Sequence, residues 1–115
     1  HIVVMGHGAC GGVTAALGGH GDPDRTFIDK WIGLLDAAVE RVRASGATDP
    51  QRALELEGVK TSLANLRSFP FVAEREQAGE LKLHGCHFAI AEGRLWELDE
   101  ASGGFQEIVE EQAIL

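Results

Sequence analysis

The chain opens on an uninterrupted apolar run, Ile2-Val3-Val4-Met5, that stops at Gly6. A short run without polar alternation, rich in β-branched residues, predicts a strand buried on both faces, as in a parallel sheet covered by helices. Val13-Thr14-Ala15-Ala16-Leu17 then predicts a short helix from near Cys10 to Gly18-Gly19. Asp22-Pro23 offers an N-cap followed by proline at the first helical position. Phe27, Ile28, Trp31, Ile32, Leu35, Ala38, Val39 and Val42 follow at helical spacing, so an amphipathic helix is expected over 23–44. Asp49-Pro50 repeats the start signal. Leu56, Val59, Leu63 and Leu66 form the stripe of a second long helix that runs to about Ser68, where Pro70 stops it.

Beyond a short helix from Phe71 to Ala78 the pattern changes from helical to alternating. Leu81 and Leu83 alternate with polar residues, as do Phe88 and Ile90, but the two pairs are out of phase. A bulge or bend near Gly85 is therefore expected. Glu92-Gly93 reads as a hairpin turn into a strand carrying Leu95, Trp96 and Leu98. Residues 92–111 hold seven carboxylates against Arg94 alone, and are expected to form a solvated edge and tail. The sum is an α/β fold with a mainly parallel β-sheet flanked by helices and Ile2–Met5 as a central strand. A buried strand needs neighbours, and only His1 precedes this one. The 115 residues are thus expected to be a single partial domain, 1–115, that starts inside a larger one.

Charge narrows the function classes. Ten Lys and Arg against 18 Asp and Glu give a net charge of −8, and the basic residues are scattered singly. Nucleic acid, which requires clustered Lys and Arg, is not an expected partner. Residues 1–21 lack charged side chains but carry seven glycines, a poor composition for a spanning helix, and they lack the basic start of a signal peptide. No membrane association is expected. Two cysteines are too few for a disulfide scaffold, and a cytoplasmic protein is expected.

The candidate chemistry sits in Gly6-His7-Gly8-Ala9-Cys10-Gly11-Gly12. A buried strand ends there, and His and Cys stand three apart on a glycine-rich turn into a helix. Imidazole and thiolate are preferred zinc ligands, and a tight turn can aim both at one ion. The helix N-terminus favours the thiolate form that binds metal. The same residues also suit a packed strand-to-helix turn with a buried Cys and His, and spacing alone leaves both readings open. His84, Cys86 and His87 form a second Cys/His group on a predicted strand, with 84 and 86 on one face and 87 on the other. Cys86 reads as a small buried hydrophobe. His1 and His20 lack evident partners and are expected in solvent, while Trp31 and Trp96 read as core or interface aromatics. Gly6-x-Gly8-x-x-Gly11 has the form of a dinucleotide fingerprint, but no second strand with an acidic end follows it.

The segment His1–Val13, with Gly-His-x-x-Cys-Gly-Gly after an apolar strand, resembles the second metal-ligand motif of β-class carbonic anhydrases. Ser62-Leu63-x-Asn65-Leu66-x-x-Phe69-Pro70-x-Val72 is similar to the family's long helix and its end. Gly79-x-Leu81-x-Leu83-His84-Gly85, followed by Phe88, Gly93 and Leu95, is similar to its strand-and-hairpin segment. The likeness runs collinearly over residues 1–105. It implies that His7 and Cys10 are zinc ligands and that Gly11 and Gly12 lie at the substrate pocket. It also implies the reversible hydration of carbon dioxide to bicarbonate, and assembly as a homodimer or higher homo-oligomer. The family's upstream Cys-x-Asp-x-Arg motif, which brings a third ligand and an Asp–Arg pair, is not in this sequence. An N-terminal segment that completes the site is therefore expected, and this chain alone is expected to be inactive. Two alternatives remain: a non-catalytic zinc-binding remnant, and a hydrolase of sulfur analogues of carbon dioxide on the same scaffold.

Overall fold

Residues 1–18 and 32–109 are described by the computed structural model. Strand β1 spans Ile2–His7 and leads through a three-residue turn to helix α1, Gly11–Gly18. A 3-10 turn at Gly33–Leu35 precedes α2, Asp36–Ser45, which closes on Gly46 at φ +67°. Helix α3 spans Pro50–Arg67, starting where Asp49 Oδ1 accepts the Arg52 N–H at 3.1 Å. Helix α4, Pro70–Gln77, ends with Gly79 N–H donating to Glu76 O and Glu80 N–H to Arg75 O. That pair of bonds, with Gly79 at φ +76°, is a Schellman stop. The expected start of a helix at 23 lies outside the described residues; its C-terminal part is the 3-10 turn and α2. Among the described residues no helix is long and apolar enough to cross a membrane.

The sheet has the order β1-β2-β3-β4, where β2 is Leu83–Ala89, β3 Arg94–Asp99 and β4 Gly104–Ile108. β1 and β2 run parallel, from Ile2 opposite Leu83 to His7 opposite Phe88. The β2–β3 and β3–β4 pairs are antiparallel, so the described sheet is mixed where a mainly parallel one was expected. The physical reason is the length of the connections: residues 90–93 and 100–103 can make only hairpins, closed by Gly93 and Gly103 at φ +64° and +76°.

Three further expectations change. β1 is an edge of the described sheet, and its faces differ: Ile2 and Val4 pack under α3, while Val3 and Met5 are more than half exposed. A continuous apolar run thus masked an alternating burial. β2 shows no bulge at Gly85 against β1, where the register runs unbroken from Leu83 to Phe88, while its pairing with β3 covers only Cys86 to Ala89. It is covered on both faces over much of its length, so its sequence has no reason to alternate. Gly85 is instead a point of close approach: a Cβ there would lie 2.8 Å from both Leu63 Cδ1 and Val59 Cγ1. The acidic stretch contains an additional strand, β4, whose Phe105 packs into the core with Leu98.

Helix α3 is the centre of the molecule. Its Leu54 packs with Val13, Ala16, Ile32, Ala38, Val39 and Val42 among the helices. Its Val59 and Leu63 pack with Val72 and Leu83 against the sheet. At its C-terminus Arg67 forks onto two carboxylates, Glu76 (2.8 and 2.9 Å) and Glu100 (2.5 and 2.9 Å), tying α3, α4 and the β3–β4 turn together. The Arg67 hydrogen bonds hold both carboxyls below the ordinary carboxylate range. Trp96 is half-buried in β3, with the Arg52 guanidinium 5.8 Å above its ring, and Trp31 lies outside the described residues.

Candidate metal centre

His7 is the last residue of β1 and Cys10 the residue before α1. The carboxyl end of a parallel strand feeding a helix is where open α/β sheets place ligands. The turn between them is strained at Ala9, which holds φ +55°, a left-handed conformation unusual for a residue with a Cβ. Gly8 N–H donates to Phe88 O at 2.9 Å and extends the β1–β2 ladder to the turn. Thr14 N–H donates to Cys10 O at 3.0 Å and begins α1. His7 Nδ1 donates to Gly8 O at 3.0 Å, which fixes the tautomer and leaves Nε2 as the nitrogen with a lone pair to offer.

Both side chains open into one cavity of about 350 Å³. Its walls are mostly apolar, including Val4, Val13, Ile32, Leu35 and Val59, with Glu55 among the few polar groups. Gly12 lines this cavity, its Cα turned toward Cys10 Sγ, whereas Gly11 is exposed and not part of the wall. Cys10 is a partly buried free thiol. A borderline-soft imidazole and a thiol on one wall fit zinc as two of its ligands. Among the described residues, no group of three or more His, Cys, Asp or Glu side chains is placed to hold a metal ion.

The second Cys/His group divides across the sheet, as the alternation requires. His84 and Cys86 lie on the face away from α3, where Cys86 is buried, and His87 faces α3. Burial raises the Cys86 thiol above its usual range, and the charge of Glu97 adds to the rise, so this cysteine stays protonated and inert at neutral pH. His1 is exposed as expected but does have a partner. Its ring stacks on His84 at 5.1 Å, its Nδ1 and His84 Nε2 are hydrogen-bonded at 2.8 Å, and His84 Nδ1 sits 3.4 Å from Glu97 Oε1. His20 lies outside the described residues.

One set of residues was not anticipated. Glu55 and His87 are 4% and 0% exposed and hydrogen-bonded at 2.9 Å. Gln51 links Glu55 to the carbonyl of Cys10. Gln51 and Glu55 are four apart on α3, but the bonds to Cys10 and His87 join residues 41 and 32 positions apart, so no local pattern reveals those two. A buried carboxylate on a helix otherwise apolar at that depth is the one signal the sequence carried.

The family described as carbonic anhydrase matches residues 1–95. Beta carbonic anhydrase 3 of Arabidopsis thaliana is 36% identical over 108 residues, covering 86% of this chain and 42% of the relative. The mitochondrial beta carbonic anhydrase 6 of the same plant is 31% identical over 115 residues, covering 91% and 40%. The chain therefore spans about two fifths of the length of these relatives. Among solved structures, the β-carbonic anhydrase CcaA superposes with a TM-score of 0.84 at 24% identity, over 95% of this chain and 51% of that one. A tetrameric β-carbonic anhydrase of Sordaria macrospora superposes with a TM-score of 0.71 at 28% identity, over 92% and 53%.

Proposed function

Because this chain belongs to the β-class carbonic anhydrase family, we propose that it takes part in zinc-dependent, reversible hydration of carbon dioxide to bicarbonate. In this reading His7 and Cys10 are two of the zinc ligands. The remaining ligand and the Asp–Arg pair come from an N-terminal segment corresponding to the part of the relatives that this chain does not span. The observation that carries it is the opening of His7 and Cys10 into one apolar-walled cavity at the carboxyl end of β1. Zinc, when bound, supplies Lewis acidity that makes hydroxide available near neutral pH.

The chain's own residues then have separate tasks. His7 presents Nε2, its ring turned by the Gly8 carbonyl. Cys10 presents its thiolate at the start of α1. Val13, Ile32, Leu35 and Val59 exclude water and offer a surface that suits a small, uncharged, apolar substrate better than an ion. Gly12 keeps the wall open beside Cys10 Sγ, where any side chain would narrow it.

Homo-oligomerisation belongs to the same reading, supported by the tetrameric Sordaria macrospora enzyme and by the apolar, exposed Val3 and Met5. Two unpaired cysteines support a reducing compartment, and we place the protein in the cytoplasm. The test is stopped-flow carbon dioxide hydration by the zinc-supplied 115-residue chain, alone and with the N-terminal half of a relative. No hydration above buffer is expected alone, with turnover restored by the second segment. Zinc-dependent turnover by the chain alone would refute the incomplete site; no turnover in either arm, with zinc bound, would refute the activity.

A further inference from the structure

From Glu55 in the cavity wall runs a polar chain that the proposed reaction does not use. Both oxygens of Glu55 are committed: Oε1 accepts from His87 Nε2 at 2.9 Å and Oε2 from Gln51 Nε2 at 2.9 Å. The same Gln51 nitrogen donates to the carbonyl of Cys10 at 3.2 Å, and Gln51 Oε1 lies 3.1 Å from the Thr14 hydroxyl. That hydroxyl is also 3.1 Å from Cys10 O and, with one hydrogen, serves one of the two acceptors at a time. A primary amide carries two hydrogens on one atom and an acceptor on the other. Turned over, Gln51 would set its oxygen against the Glu55 carboxylate and the Cys10 carbonyl, two groups that only accept. The carboxylate therefore locks the amide in one orientation.

Joining β2 to α3 does not in itself call for a carboxylate. Apolar side chains of similar volume would do so without the desolvation that a buried Glu and His suffer. What an apolar pair could not do is orient an amide toward the turn. The geometry points to His87, Glu55 and Gln51 as positioning residues for Cys10. His87 holds the carboxylate, the carboxylate holds the Gln51 amide, and the amide fixes the Cys10 carbonyl and with it the direction of the thiol. This inference rests on the zinc reading of His7 and Cys10. Groups that hold a ligand from behind change metal affinity by about 10–100-fold. Because this contact is to the backbone of the ligand residue, the lower end, about tenfold, is expected.

The experiment compares the unsubstituted protein with Gln51→Met, Glu55→Gln and the double variant. Three quantities are read: the zinc Kd by chelator competition, the near-ultraviolet thiolate-to-cobalt charge-transfer band after cobalt substitution, and the Tm of the metal-free protein. Each single variant is expected to raise the Kd about tenfold and shift the band. The double variant should lose no more than the weaker single, since the residues act in series. Gln51 is only half-buried, so Gln51→Met should leave the metal-free Tm nearly unchanged and decide the matter even if Glu55→Gln fails to fold. An unchanged Kd and band in Gln51→Met would make the buried pair a structural tie and overturn the inference alone. A protein that binds no zinc even with the N-terminal half of a relative supplied overturns the inference together with the ligand assignment.

Discussion

Gly85→Ala adds one methyl group where α3 rests on the sheet. Built on the observed backbone, that methyl stands 2.8 Å from Leu63 Cδ1 and 2.8 Å from Val59 Cγ1, with Leu98 Cβ at 3.5 Å. Carbon contacts are most favourable at roughly 3.5–4.0 Å, so two of the three are about 1 Å too close. Neither neighbour can swing into solvent, because Leu63 and Val59 are each 2% exposed. Overpacking of this kind costs about 1–3 kcal/mol. The loss of unfolded-chain entropy on replacing glycine returns about 0.4–1 kcal/mol. A net destabilisation of about 1–2 kcal/mol follows, or roughly 5–10 °C in Tm. The same helix rests on a second glycine: a Cβ on Gly6 would stand 2.9 Å from the other methyl of Val59. Val59→Ala, which alone costs about 1–3 kcal/mol through its cavity, should therefore partly accommodate the new methyl. Chemical denaturation of the two single variants and the double should show the double more stable than additivity predicts, by at least about 0.5 kcal/mol. A neutral or stabilising Gly85→Ala, or strict additivity with Val59→Ala, would refute the close seating of α3.

Arg67→Met should lower the Tm by roughly 2–5 °C near neutral pH. Because its hydrogen bonds depress the carboxyls of Glu76 and Glu100, their contribution is present above the ordinary carboxylate pKa and disappears as pH falls through the depressed values. Thermal melts should thus converge between variant and parent below about pH 4. Cys10→Ser should abolish stoichiometric zinc, measured by elemental analysis, while Cys86→Ser should leave it intact; the reverse pattern would reassign the ligand. Ala9→Gly removes a left-handed strain of about 1 kcal/mol, so its denaturation midpoint should not fall, unlike most alanine-to-glycine changes.

How far the sequence disclosed this arrangement depends on the range of the forces involved. Helices α3 and α4 were legible because Asp49-Pro50, Gly79 and the spacing of Val59, Leu63 and Leu66 act within a few residues. The shared placement of His7 and Cys10 on one cavity was legible for the same reason, the two being three apart on one turn. β1 was legible as a strand, but the exposure of Val3 and Met5 at the edge of the described sheet was not, since both are apolar whether or not anything covers them. The phase change around Gly85, which reads as a bulge or bend, lies in a strand covered on both faces, where alternation carries no information. β4 was missed because the carboxylates around it hid the inward Phe105. The links from Glu55 to His87 and from Gln51 to Cys10 were out of reach altogether, since only the packing of α3 over β2 and against the Cys10 turn makes them.

Each residue of β1 finds its partner on β2 exactly 81 positions later in the chain, whereas β2, β3 and β4 are joined by hairpins. At a synthesis rate of about 5–20 residues per second, the strand that ends in His7 leaves the ribosome roughly 4–16 s before its neighbour exists. The meander can close on itself in microseconds once made, but β1 must wait, and its docking closes the longest loop in the fold. Ile2-Val3-Val4-Met5 is an uncharged, β-prone segment during that interval, open to pairing with other chains. His7 and Cys10, the proposed ligands, stand at its end, so zinc supplied early would meet a turn with no wall behind it.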